Sequence, residues 1–535
     1  MGNYLNPGNE KFRRMIQSEI YVDKTGMIKY TNSVLDTAQN YVCVSRPRRF
    51  GKSMAANMLT AYYSRGCNSK ELFGKFEIAK DKDFEKYLNQ YNTIFLNMQE
   101  FLSRSHNVEE LIDRVKKLVI RDLKMEYPEV DYFDDTDLIE CMQDIYAQMQ
   151  YPFVVIIDEW DCIFREYKQD KEAQEKYLDF LRDLLKDKAC IYLSYMTGIL
   201  PIAKYSSGSE LNMFLEYTMA SEEKFNEYFG FTESEIDDLF AKYLKICEIP
   251  AITREQLRLW YDGYATKAGE RMYNPRSVVT ALSNNNIGNY WTSSGPYDEI
   301  FYYIRNDIDH IKNDLALMIT GEGVDAKIDE FAASAMELKS RDQIYSAMVV
   351  YGLLTYSGGK VFIPNRELMF KYEELLQNEE SLGYVYQLAK ISDQMLKATL
   401  SRDTQKMSEI LQYAHNTESP ILSYNNEVEL SAIVNLVYLS ARNKYRIERE
   451  DKAGKGFVDF IFYPWNLTDT CIILELKVDH SPEDALLQIR EKDYLLRFQG
   501  KSGETRKYTG EVLGVGISYD KETKEHFCKV EVLSK

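Results

Sequence analysis

A short, largely apolar strand running directly into a glycine-lysine-serine turn limits what this chain can fold into. Residues 41–45 (YVCVS) have strand length and composition. RPRRFGKS (46–53) follows at once, and MAANMLTAYYS (54–64) then has helical composition. A strand that leaves through a helix rejoins its sheet in parallel, because the crossover carries the chain back to the starting edge. NTIFLNM (92–98), PFVVII (152–157) and CIYLSYMTGI (190–199) read as further strands, and 107–150 and 171–188 read as helices. Continuous apolar runs, rather than alternation, indicate strands covered on both faces. The expected fold is therefore α/β over residues 1–230, a parallel sheet with helices on both sides.

The turn has the parts that grip a phosphate chain. Gly51, Lys52 and Ser53 close the loop, preceded by Arg46, Pro47, Arg48, Arg49 and Phe50. Such a loop needs backbone amides facing phosphate oxygens, a lysine for the β and γ phosphates and a hydroxyl for magnesium. The helix that starts here adds its N-terminal dipole. The general phosphate-loop pattern has a glycine where this chain has Arg46. A second feature points the same way. Val154–Ile157 lead into Asp158 and Glu159. An acidic residue ending a buried strand can hold magnesium, and its neighbour can orient an attacking water. Thr197 ends another strand and is placed to face the γ-phosphate side. The plainer alternative, a tight turn plus a solvated strand end, accounts less well for both features in this order.

Beyond residue 230 the pattern changes. FTESEIDDLFAKYLKI opens with Thr232 and Glu235, a helix-start signature, and 231–330 reads as mostly helical. SRDQIYSAMVVYGLLTYSGGKVFIPN (340–365) reads as a helix and a hairpin turning at Gly358-Gly359, either a winged-helix piece of a helical lid or a small helix-hairpin packing module. Residues 366–420 read as a helical linker. Residues 421–535 read as a separate α/β unit: a helix near 426–442, YRIERE, a turn bearing Gly454 and Gly456, then FVDFIFYP, TCIILELKV, a helix at 482–499 and EVLGVGISY.

That last unit carries Asp459 and, further on, Glu475-Leu476-Lys477. Residues two apart on a strand share a face, so Glu475 and Lys477 point the same way out of an apolar strand. Burying both without a task would be costly. Two carboxylates on adjoining strands, Asp459 and Glu475, can hold magnesium (Mg2+), or manganese (Mn2+), with Lys477 activating water or stabilising phosphate charge. A buried salt bridge is the alternative reading.

Taken together, YVDKT (21–25), RPRRFGKS, VVIIDEWD (154–161), TGIL (197–200), YFGFTESEI (228–236), WYDGY (260–264) and YNPRSV (273–278) resemble the bacterial and archaeal AAA-ATPase-like family with a C-terminal PD-(D/E)xK nuclease domain. The resemblance covers nearly the whole chain, and RPRRFGKS is that family's own form of the loop. It implies ATP and magnesium at Lys52, Ser53 and Asp158, with Glu159 as catalytic base. It also implies a restriction-endonuclease-like C-terminal fold using Asp459, Glu475 and Lys477. Gln488 and Tyr494 match the helix that follows in that family, and Glu427 or Glu429 would supply a further acidic group. Arg276 from the lid, and Arg48 or Arg49 toward a neighbouring subunit of a homo-oligomer, are weaker candidates for touching nucleotide. One departure is REDKAGKGFVD before Asp459, in place of an arginine-rich approach; Lys452 and Lys455 keep part of the charge.

Composition bounds the partners. A net charge of −18 argues against a broad basic nucleic-acid surface; Arg490, Lys492, Arg497, Lys501 and Arg506 form a local basic stretch, which a solvated helix face explains equally well. No apolar run reaches membrane-spanning length, the N-terminus is polar, and the 8 cysteines form no CxxC pair. These features predict a cytoplasmic protein with reduced thiols and no membrane partner. The expected function is an ATP-binding and hydrolysing protein coupled to a magnesium-dependent nuclease acting on nucleic acid, DNA first, in defence or mobile-element processing. The alternative is an ATP-dependent switch whose nuclease-like domain is silent and only binds a partner or nucleic acid.

Overall fold

Four buried strands and one short edge strand make the first sheet. In the computed structural model, β1 (Tyr41–Ser45), β2 (Asn92–Asn97), β3 (Phe153–Asp158), β4 (Ile191–Gly198) and β5 (Leu215–Tyr217) pair in the order β2-β3-β4-β1-β5. All four pairings are parallel. The structure describes residues 2–202, 211–219, 223–291, 302–304, 308–319, 321–329, 338, 340–416, 427–453, 456–498 and 507–534. They form two compact units, Met1–Tyr303 with Asp325–Leu368, and Ile304–Val324 with Met369–Lys535.

The strands read as unbroken apolar runs because helices cover both faces. Val42, Val44, Val154, Ile156, Leu193 and Tyr195 alternate onto one face and share a core with Ala56, Leu59 and Tyr63 of α1 (Lys52–Tyr63). The residues between them, such as Val155, Ile157 and Met196, are equally buried on the other face. Each fully buried aliphatic side chain is worth roughly 1.5–3 kcal/mol.

The stretch 107–150, expected to be helical throughout, is two helices, α2 (Val108–Glu126) and α3 (Leu138–Met149). Pro128 cannot continue the first, and the Asp137 carboxylate caps the second by accepting from the amides of Ile139 and Glu140. After β3 come α4 (Cys162–Glu166) and α5 (Lys171–Leu185). Strand β5 was not expected, since three residues give too short a pattern to read.

The stretch 231–365 begins with α6 (Glu233–Ile246), where the expected capping box of Thr232 and Glu235 is complete. It continues with α7 (Pro275–Asn284) and α8 (Arg341–Val350), then the hairpin β6 (Thr355–Ser357) and β7 (Lys360–Phe362). Gly358 and Gly359 turn it at φ 58° and 82°, a conformation that favours glycine at both positions.

In the second unit, β8 (Tyr445–Ala453), β9 (Gly456–Pro464), β10 (Cys471–Val478), β11 (Val512–Asp520) and β12 (Glu525–Ser534) pair in chain order. Only β10 and β11 run parallel. Before this sheet come α9 (Tyr384–Ser401), α10 (Thr404–Asn416) and α11 (Glu427–Val437). Of these, α10 packs on β12 and α11 on β10. The crossover from β10 to β11 is α12 (Pro482–Glu491), opened by a capping box of Ser481 and Asp484. The helix expected to reach residue 499 stops at Glu491, because Asp493 turns into the left-handed region at φ 56°. Strand β12 was also not expected. Among the described residues no helix is long and apolar enough to cross a membrane, and all eight cysteines are free.

Helix α12 lies very close to the sheet at Gly516, where an added Cβ would sit 2.2 Å from the Pro482 carbonyl oxygen. Gly516→Ala must push the helix outward. It should cost about 1–3 kcal/mol, read as a lowered denaturation midpoint; an unchanged midpoint would show that the approach is looser than described.

Candidate functional site

The loop after β1 is braced before it is shaped. Arg46 donates its backbone N–H to the Gly198 carbonyl (3.1 Å). Its buried guanidinium donates to the carbonyls of Ser45 (2.9 Å) and Tyr217 (2.7 Å) and to Asn226 Oδ1 (2.9 Å), beneath the Phe229 ring. Pro47 is covered by Gly352, where an added Cβ would come within 2.6 Å of it. Phe50 meets the Tyr264 ring edge-on at 4.9 Å. Gly51, at φ 94°, then directs the chain into α1, whose first turn lines the cavity and leaves its first amides without partners inside the helix. Lys52 Nζ donates to the carbonyls of Arg46 (3.0 Å) and Pro47 (2.9 Å). Burial pushes its pKa down, while Glu159, Asp161 and Asp158 pull it up.

Parallel register lines up three polar strand ends. Asn97 on β2 is level with Asp158 on β3, and Asp158 with Thr197 on β4. Asp158 is fully buried, accepting from Asn97 Nδ2 (3.3 Å) and hydrogen-bonded to Ser53. Burial raises its carboxyl to about 6, against the pull of that hydrogen bond and of Lys52. Asp158 Oδ1 and Thr197 Oγ1 are buried with no hydrogen-bond partner among the described residues. Hard oxygen donors with an unsatisfied carboxylate atom fit magnesium, which Ser53 and Asp158 would hold.

Glu159 follows in the left-handed region at φ 57°, and Arg165 of α4 clasps its carboxylate. The Asp161 carboxylate, 3.3 Å from Arg165 Nε, accepts the amides of Ile199 and Leu200 (3.0 Å each) and so holds the end of β4 in place.

A cavity of about 890 Å³ opens beside these groups. Arg48–Ser53, Asn97, Glu159 and Arg165 line one part; Ile20, Tyr21, Val22, Met27, Phe231 and Val279 line an apolar part. Arg276, exposed at the start of α7, also borders it. Lys24 bonds both Glu235 carboxylate oxygens (2.6 and 2.7 Å) and the Glu227 carbonyl (2.5 Å), fastening YVDKT to the start of α6. Arg46 and Pro47 brace this cavity rather than line it.

In the second sheet, Glu475 and Lys477 continue the face of Cys471 and Ile473, which packs against Leu486 and Ile489 of α12. Asp459 on neighbouring β9 accepts the Leu476 amide (2.7 Å). Lys477 Nζ lies 3.5 Å from Glu475 Oε1, and Gln488 of α12 donates to the same oxygen. Tyr494 hydrogen-bonds Gln488. Glu475 is 2% exposed, and its Oε2 has no partner among the described residues. Two adjacent carboxylates with one orphaned oxygen fit magnesium or manganese. Among the described residues no group of three or more His, Cys, Asp or Glu is placed to hold a metal. The side chains of Glu427, Glu429 and Lys452, and residues Lys455, Lys501 and Arg506, lie outside the described residues. Of the rest of the basic stretch, Arg490 pairs with Glu531, and Arg497 lies 3.6 Å from Glu448.

Residues 7–207 match the family described as predicted AAA-ATPase, and residues 429–525 match the PD-(D/E)XK nuclease superfamily. The chain joins an AAA-ATPase-like domain to a PD-(D/E)XK-superfamily domain. No curated protein matches it. Among solved structures it is similar to the ORC2 protein of Aeropyrum pernix in its ADPNP-ADP complexes. Identity there is 11%, covering 67% of this chain and 93% of that one, at a TM-score of 0.34. It is also similar to ORC1 of the same organism in complex with DNA (11%, 66% and 93%, 0.30) and to CDC6P of Pyrobaculum aerophilum (10%, 66% and 93%, 0.27). At these scores the likeness carries no argument.

Three residues of the AAA-ATPase-like site were not singled out from sequence. Asn97 had a signal, a polar residue ending a buried strand beside the one that carries Asp158. Asp161 and Arg165 had only their helical spacing, which an ordinary surface pair shares.

Burial raises the Glu475 carboxyl to about 8, with Asp459 pushing the same way and Lys477 opposing. Between the unfolded value of about 4.3 and that pH, the folded state holds a proton that the unfolded chain has lost. Folding stability contributed at this site therefore falls as pH rises through that window. Glu475→Gln abolishes the ionisation. In chelator, its denaturation midpoint should gain on wild type steadily from pH 5 to pH 8; a gap independent of pH would refute the shift.

Proposed function

We propose that the chain binds and hydrolyses ATP and couples this to a magnesium-dependent nuclease-like domain acting on nucleic acid, DNA in the first instance. The proposed parts are an ATPase domain at 1–230, a helical lid at 231–365, a helical linker at 366–420 and the nuclease-like domain at 421–535. The observation that carries the reading is the meeting of Lys52, Ser53, Asp158, Glu159 and Thr197 at the carboxyl ends of three adjacent parallel strands, beside a cavity with an apolar part.

In this reading the amides at Gly51–Ser53 cradle the phosphates, and Lys52 exchanges its two loop carbonyls for β and γ oxygens. Ser53 and Asp158 hold magnesium, which when bound neutralises phosphate charge. Glu159 takes the proton of the attacking water, and Thr197 orients that water or the γ-phosphate. The apolar part, built from the YVDKT segment and the lid, receives the base. Arg276 reaches the nucleotide from the lid, and the exposed Arg49, with Arg48, faces a neighbouring subunit in a homo-oligomer. At the second site Asp459 and Glu475 hold magnesium or manganese, which when bound activates water and polarises the scissile phosphate. Lys477 stabilises the developing charge there, and Gln488 keeps Glu475 in place.

One observation favours a second reading, a nucleotide switch with a silent C-terminal domain: the net charge of −18 opposes close approach to nucleic-acid phosphates.

Lys52→Ala should weaken ATP binding on the order of 10²-fold, measured by calorimetry, because it removes a buried charge partner. Glu159→Gln should keep binding and lose turnover by about 10²–10⁴-fold. Cleavage should be assayed on linear, circular and single-stranded DNA with magnesium or manganese, with and without ATP. It should vanish in Asp459→Ala and Lys477→Ala while ATP turnover persists. Wild-type cleavage rates in Lys477→Ala would remove the site assignment. ATP binding with no cleavage under any condition would establish the switch instead.

A further inference from the structure

The mechanism above leaves one buried cation at the phosphate part of the cavity without a task. Arg165 stands on the short helix α4, directly after the acidic strand end, with a side chain only 9% exposed. It borders the same cavity as Lys52, Ser53 and Glu159. Its Nε lies 3.3 Å from Asp161 Oδ2, and its Nη2 clasps Glu159 Oε2, with Gln99 Oε1 at 3.5 Å. Asp161 is itself immobilised by the amides of Ile199 and Leu200. The guanidinium is therefore paired in charge with a fixed carboxylate at Nε, without a hydrogen bond there, and spends its tip on the residue that must act on water. A carboxylate oxygen already accepting from a guanidinium is poorly placed to accept the proton of a water as well.

We propose that Arg165 is a γ-phosphate-sensing positioning residue that trades partners. It restrains Glu159 until a γ-phosphate enters the cavity. Its tip then moves to the phosphate while Nε stays on Asp161, and Glu159 is released toward water. The fork of an arginine matches phosphate oxygens at least as well as a single carboxylate, and phosphate carries more charge. ADP lacks the competing group and leaves the clasp closed. No bond is made or broken in this exchange, so it requires no further reactant. The inference rests on the nucleotide reading given above.

The exchange predicts opposite effects at the two ends of one contact. Dissociation constants for ADP and for a non-hydrolysable ATP analogue, both with magnesium, would be measured by calorimetry on the full chain. In Arg165→Gln the analogue should bind on the order of tenfold more weakly, with ADP within about twofold of wild type. In Glu159→Gln, which weakens the competitor, the analogue should bind several-fold more tightly and ADP should not change. Should Arg165→Gln fail to fold, Arg165→Lys makes the same test, keeping the charge while losing the fork and part of the analogue-to-ADP ratio. A brace that serves only the fold would shift both nucleotides together and give no gain in Glu159→Gln. An unchanged analogue-to-ADP ratio in the Arg165 variant, with binding still dependent on Lys52, overturns this inference alone. A wild-type protein that binds neither nucleotide overturns the nucleotide reading, and this one falls with it.

Discussion

The parallel pairing of β3, β4 and β1 is the constraint on which the first site depends. Register sets Asp158 level with Thr197 and Val44 level with the same Thr197, so the phosphate loop leaves the sheet beside the acidic residue that faces it. Strand β2 adds Asn97 at the same height. A one-residue slip would turn each of these side chains to the opposite face and empty the edge of its chemistry. Register is held because both faces of the strands are buried, so a slip would also misplace every apolar side chain in the layer. The stability of the core and the geometry of the site are thus the same fact.

Both sites hold their carboxylates against electrostatic cost. Asp158 and Glu475 are each almost wholly buried, and burial raises both, to about 6 and about 8. Each has an oxygen with no hydrogen-bond partner among the described residues. Such atoms destabilise a fold that has no use for them. A divalent cation relieves both penalties, by opposing the charge and by satisfying the orphaned oxygen. Metal binding and proton release are therefore coupled at each site. Arg165 and Lys52 supply the remaining counter-charge in the first unit, and Lys477 does so in the second.

The second site also shows how a glycine far along the chain sets the distance between two side chains. Gly516 is level with Glu475 on the neighbouring parallel strand, and its missing side chain lets α12 approach within contact of the sheet. That approach brings Gln488 to the Glu475 carboxylate. Nothing local to Gln488 or Glu475 records this dependence.

Much of the architecture was legible in the residues themselves. The apolar runs at 41–45, 92–98 and 152–157 were long enough, and flanked clearly enough, to mark buried strands. RPRRFGKS and the acidic pair after Ile157 placed reactive groups at strand ends, where an apolar run stops, and the spacing of Glu475 and Lys477 put both on one face of their strand, because side chains alternate with a period of two. The capping box at Thr232 and the paired glycines at 358 and 359 were equally local, since hydrogen bonds and φ angles within four residues decide them. Other features were settled only by packing. The break of the 107–150 helix, the edge strand β5 and the final strand β12 carry weak local patterns that neighbours complete. Arg46 would have passed for a phosphate ligand, yet tertiary contacts with Tyr217, Asn226 and Phe229 turn its side chain into a brace. The clasp of Glu159 by Arg165 and the fastening of Lys24 to Glu235 depend on where separate elements meet in space. The sequence by itself determined the elements, their faces and the chemistry at their ends, because those follow from local period and composition. The tertiary structure decided which of those ends share a cavity and which charges face each other, because contacts between distant segments leave no local trace.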